Sequence, residues 1–212
     1  MPLTQKSGAA QGANKRQALI DKATELFSQE GYHAVGVDRI ISESGVAKMT
    51  LYNHFPSKSD LVLEVLRQRE ASAAESLRAF VDRYPQPLDR LKAVFQWHEA
   101  WFSEKTFYGC MFINAASEFP DRADAIHRAS ASQKRHVTEL LGTLLEELFA
   151  ADVAARLAGQ FLILIDGATV TAQISGKPDS AMLAWEIARQ LIAGASASDR
   201  HSGSSNSSNA SV

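Results

Sequence analysis

A single cysteine, Cys110, stands in a chain of 212 residues. One thiol excludes an intrachain disulfide and any zinc framework built on several cysteines of the same chain, and it suits a reducing compartment. Long apolar runs are missing too. Nothing approaches the roughly 18 consecutive apolar residues of a membrane span, and the first twenty residues are polar and basic with no apolar segment. A cytoplasmic protein without membrane contact is expected. Charge of one sign is also scarce: 22 Lys/Arg face 24 Asp/Glu, a net charge of -2, which argues against coating nucleic acid by bulk charge. No long period-2 run bounded by turn residues argues for a sheet. The histidines form no metal set, since His127 and His136 are nine residues apart and fit no standard ligand spacing. No metal and no cofactor is expected.

What is present is a 45% hydrophobic composition, enough for one large core or two small ones, arranged at helical period. Residues 1–13 lack periodicity and read as a disordered tail. From Asn14, read as an N-cap, an amphipathic helix runs to Gly31. Residues 38–44 and 47–54 form two short helices around Gly45. Pro56 closes the second, because the residue before proline is pushed out of the α region. Ser57 caps a fourth helix reaching about Arg83. Further helices are expected over about 88–103, from Gly109 to Pro120, and over about 122–150, 151–175 and 180–194. Residues 195–212, rich in Ser, Asn, Gly and Ala, read as a disordered tail. The fold class is all-α with about nine helices.

Two short helices joined by a glycine turn are a candidate helix-turn-helix, whose second helix enters the major groove. That role gives each residue a reason. Lys48 can reach a guanine edge or a phosphate, Asn53 and His54 can hydrogen-bond to either, and Tyr52 offers a ring and a hydroxyl. Met49 and the Thr50 methyl can pack on a thymine methyl. Lys58, at a helix N-terminus, completes a phosphate clamp. Charge placement agrees in sign: residues 1–60 hold seven Lys/Arg against six Asp/Glu, so the net deficit lies downstream.

The stretch "GVAKMTLYNHFPSKSDL", within a longer match over 14–66, resembles the DNA-binding domain of the TetR/AcrR transcriptional regulators. The resemblance implies a DNA-binding domain over 14–60 and a helical ligand-binding and dimerisation domain over 61–194. It makes Val37, Ile40, Val46, Leu51 and Phe55 core residues. It places Lys48, Met49, Tyr52 and His54 toward bases or sugars and Thr50, Asn53 and Lys58 toward phosphates. Four positions depart from the family pattern. Gly36 stands where a capping Thr is usual, Ala47 where Ser is common, Met49 where Gly is common, and Asp38 where some members carry a basic residue.

Downstream, "FQWHEAWF" puts Trp97 and Trp101 at i, i+4, beside His98 and Phe102, with Phe107, Cys110, Met111 and Asn114 following. An aromatic lining with a few polar groups is the usual makeup of a small-molecule site, and Asp166, inside an apolar helix, could orient a ligand. The runs "AGQFLILIDGATVTAQISG" and "MLAWEIARQLIAGA" are candidates for a four-helix interface of a two-fold homodimer. The expected function is a dimeric repressor, not an enzyme, that a small-molecule effector releases from a palindromic operator in double-stranded DNA. The alternative is an all-α enzyme acting on a small aromatic substrate in the downstream pocket.

Overall fold

The computed structural model describes residues 5–204, with side chains from 12 to 197. The described residues form nine α-helices and no strand. The helices are α1 (Gln5–Glu30), α2 (Val37–Ser44), α3 (Lys48–His54), α4 (Lys58–Val81), α5 (Pro87–Phe102), α6 (Met111–Glu118), α7 (Ala125–Leu145), α8 (Ala151–Ser175) and α9 (Ser180–Ser204). The described residues form two units, residues up to 74 with 110–133 and residues 75–109 with those from 134 onward.

Local chemistry sets the short elements. Helix α2 starts at Gly36, which is extended and gives no side-chain cap, and stops at Gly45 in the left-handed region at φ 67°, a conformation that disfavours a Cβ. Helix α3 starts after an extended Ala47 and ends at an extended Phe55, as Pro56 requires. Helix α4 opens on a reciprocal box: the Asp60 N–H donates to Ser57 Oγ at 3.2 Å, and the Ser57 N–H donates to Asp60 Oδ2 at 2.9 Å. That pairing satisfies two otherwise unpaired helix-end groups.

In the first unit the core holds Leu19, Ile20, Leu26, Phe27, Tyr32, Ile40, Leu51 and Phe55. Val37 is only half-buried, and Val35, in the turn before α2, is fully buried. The turn after α1 is tied down from far along the chain. Glu118, the last residue of α6, accepts hydrogen bonds from the backbone N–H groups of Tyr32 at 2.8 Å and His33 at 2.6 Å. It also meets the His33 ring Nδ1 at 3.0 Å. The buried Tyr32 hydroxyl donates to the Met111 carbonyl at 2.9 Å.

The second unit is built on α5, α8 and α9, which pack pairwise. Phe95 lies 5.7 Å from Phe161 and 5.5 Å from Trp185, ring centre to ring centre. Helix α8 has the length and composition to cross a membrane. Here its Ala154, Leu157, Phe161, Ile165 and Ala172 are instead buried in this core.

Three helices differ from the sequence expectation by more than two residues at a boundary, and one of them is α7, which spans Ala125–Leu145 rather than about 122–150. Helix α1 begins at Gln5, so Asn14 lies inside it and caps nothing; the alanines at 9, 10 and 13 favour continuing the helix upstream. Helix α9 runs past Gly194 to Ser204, so part of the stretch expected to be a tail is helical. Residues 1–4 and 205–212 lie outside the described residues.

Gly31 and Gly36 should respond oppositely to substitution. Gly31 sits at φ 87°, and a Cβ there would come within 2.7 Å of Glu118 Oε1. Gly36 is extended with open space around it. In urea unfolding, Gly31→Ala should lose about 1–2 kcal/mol. Gly36→Thr should gain roughly 0.5–1 kcal/mol from a restored cap and a stiffer unfolded chain.

Candidate nucleic-acid interface

Helix α3 divides its residues sharply. Leu51 points into the core, whereas Met49 is 73% and Tyr52 43% exposed. Lys48 and Asn53 are also exposed, and Thr50, His54 and Lys58 are half-buried. A large apolar residue left in water on a seven-residue helix needs a reason, and contact with another molecule is one. The core supplies the anchoring: Leu51 and Phe55 below, and Val46 in the turn between the helices.

Three cations around this face, Lys48, Arg39 and Arg16, are already paired. Lys48 Nζ lies 2.9 Å from Asp38 Oδ1 in α2, and that hydrogen bond holds the ammonium above its ordinary pKa. Arg39 contacts Glu43 at 2.8 Å and also Glu30. Arg16 pairs with Glu64 at 3.2 Å and stacks 5.1 Å over the Phe55 ring. Burial lowers the Lys58 pKa, with the Glu118 carboxylate pulling it the other way. Burial also works to raise the Glu118 carboxyl, yet its hydrogen bonds from Tyr32 and His33 prevail and hold it below the usual range.

In the second unit the aromatic cluster does form. Trp97 and Trp101 lie 5.9 Å apart, Trp101 and Phe107 5.0 Å, and Phe102 and Phe107 5.0 Å. His98 sits among them, 4.9 Å from Trp97 and 6.0 Å from Phe102. Its Nδ1 donates to the Val94 carbonyl at 2.8 Å when that nitrogen carries the proton. Burial holds the imidazole down to about 4, and the Lys134 charge adds to this. Lys134 Nζ meets Asp166 Oδ1 at 2.5 Å. Cys110, Met111 and Asn114 belong to the first unit, where Cys110 and Met111 are buried.

Residues 19–65 match the family described as bacterial regulatory proteins, tetR family, and residues 87–188 match the tetracyclin repressor-like C-terminal domain. The transcriptional regulator AcuR of Cereibacter sphaeroides is 30% identical over 181 residues, 81% of this chain and 82% of that protein. The chain belongs to the TetR family.

As a TetR-family member it is a DNA-binding transcriptional regulator. The transcriptional activator FasR of Mycolicibacterium smegmatis is 35% identical over 82 residues, 39% of this chain and 37% of that protein. The crystal structure of a TetR-family regulator from Streptomyces coelicolor superposes with a TM-score of 0.81 at 27% identity, covering 87% of this chain and 97% of that one. The alternative of an enzyme draws no support from these matches.

Among the sequence-derived candidates, Lys48, Met49, Thr50, Tyr52, Asn53 and His54 share α3, and Lys58 opens α4. Trp97, His98, Trp101, Phe102 and Phe107 share one cluster. Sequence reasoning missed Glu118 and Lys134. Both are ordinary charged residues on helices, and their partners lie 32 to 86 positions away, so no local spacing marks them.

The buried His98 gives a pH signature. Because its folded pKa is depressed, the unfolded chain binds the proton first as pH falls below about 6.5. Unfolding free energy should therefore decline between pH 6.5 and 4 with a slope approaching one proton. In His98→Phe this component should be absent, as paired urea titrations at each pH would show.

Proposed function

We propose that the protein is a dimeric repressor that leaves a palindromic operator when a small molecule binds its second unit. The observation that carries the DNA half is the α3 surface: Met49 and Tyr52 stand in water beside Lys48 and Asn53, on a helix anchored by Leu51. These side chains can contact base edges, and Thr50, Asn53 and Lys58 can hold phosphates. Such a regulator works in the cytoplasm.

An exposed apolar stripe supports the dimer. Ile163 is 71% and Ile174 82% exposed on α8, with Val170 between them. Leu183 and Ile187 are exposed on the neighbouring α9. Gly159 and Gly167 lie on the same face of α8, where a Cβ would meet nothing within 4 Å. Glycine inside a helix costs roughly 0.5–1 kcal/mol, and packing within the chain gives no reason to bear that cost. A second copy crossing close to these backbones accounts for both features. Ile163→Glu/Ile174→Glu should convert a dimer into a folded monomer in sedimentation experiments and lower operator affinity at least tenfold.

For the effector, the support is the aromatic cluster around neutral His98, with the Lys134–Asp166 pair as its polar component. A ligand that binds better to a dimer with altered reading-head spacing shifts the population off the operator, and by linkage DNA weakens the ligand. Helices α4 and α7 contribute residues to both units and are the elements through which that shift passes.

Footprinting on the DNA flanking its own gene tests the reading. A protected two-fold site is expected in the wild type. Tyr52→Ala should abolish specific protection with the circular dichroism spectrum unchanged. Lys58→Ala should weaken all sequences alike and reduce the log-log salt slope by about 1 per bound site. Unchanged affinity in a folded Tyr52→Ala protein would remove α3 from the groove.

A further inference from the structure

Asp38 is an acid in the first turn of α2, on the side of the helix-turn-helix where Lys48 emerges from α3. An acid beside a surface meant for phosphates is unfavourable, and nothing in the packing demands it. The Asp38 side chain is 84% exposed and that of Lys48 62% exposed. An ion pair so exposed adds little to stability, and an acid in the first turn of α2 gains only a modest further amount from the helix dipole, so folding gives a weak reason for its presence. Its consequence for binding is larger. While the pair is closed, Lys48 offers no net charge to DNA, and a phosphate that takes Lys48 must displace a carboxylate that then repels it.

We propose that Asp38 is a specificity-determining residue: by occupying the Lys48 ammonium, it makes that contact available at the cognate site and withholds it elsewhere. This rests on the reading of α3 as the groove-entering helix. On random duplex, backbone attraction is the only gain, and exchanging Asp38 for phosphate returns little. At the operator, contacts from Met49 and Tyr52 to base edges hold α3 deep enough that the exchange is repaid. The neighbouring cation follows the same pattern, since Arg39 is held by Glu30 and Glu43. The reading head thus meets nonspecific DNA nearly charge-compensated.

The test uses the full-length protein, its footprinted operator and a scrambled duplex of equal length, with salt titrations of wild type, Asp38→Asn, Lys48→Ala and the double variant. Asp38→Asn should bind scrambled duplex roughly fivefold more tightly, with a salt slope steeper by about 1, and gain less on the operator, so the specificity ratio falls. In the Lys48→Ala background that gain should vanish. Partial unfolding lowers both affinities and cannot imitate a gain. An equal gain with and without Lys48 would show direct repulsion of DNA by Asp38 and overturn the masking role. No change in the ratio would overturn it as well. A wild type without any specific site would instead fail the groove reading itself, and the inference with it.

Discussion

The Glu118 carboxylate is the contact on which the first unit turns. When α1 ends, the chain must reverse through Gly31, Tyr32 and His33; the Gly31 N–H still bonds to the Phe27 carbonyl at 3.1 Å, but the N–H groups after it have no helical partner. Glu118 accepts two of them and meets the His33 ring as well. The acceptor comes from α6, well outside the three-helix segment. The reversal needs glycine at φ 87° to let the carboxylate in so closely. With Tyr32 bonded to the Met111 carbonyl and its ring near those of Phe27 and Phe119, the placement of α2 and α3 depends on residues 110–119 as much as on their own sequence.

That dependence explains what could be read along the chain and what could not. The bounds of α2 and α3 lie within a residue of expectation because their stops are local chemistry: a left-handed Gly45 and a proline after Phe55. Helix α8 begins and ends where expected, since Gly176 closes it in the same left-handed way. The tryptophan cluster was visible in its i, i+4 spacing. Glu118 on the Tyr32 and His33 backbone, Lys134 on Asp166, and Asp38 on Lys48 were not visible, because each joins different elements through ordinary charged residues. The start of α1 was misplaced because Asn14 suits a cap and an exposed helix position equally well.

Electrostatically, the reading head carries little free charge. Three cations of the first unit are engaged with acids, Lys48 with Asp38, Arg39 with Glu30 and Glu43, and Arg16 with Glu64; Lys58 is not among them. On the reading proposed above, recognition exchanges carboxylate for phosphate, and Asp38 together with the exposed side chains of α3 sets its discrimination. A weakly acidic protein, with a sequence pI near 6.3, can in this way bind DNA selectively.

The most direct measurement is selection of bound duplexes from a random library by the full-length protein at moderate salt, followed by sequencing. The account predicts enrichment of a two-fold symmetric motif, with half-site centres one helical turn apart, about 34–36 Å, or a multiple of it. A pool that stays random, or a motif without two-fold symmetry, would contradict a paired α3 reading head.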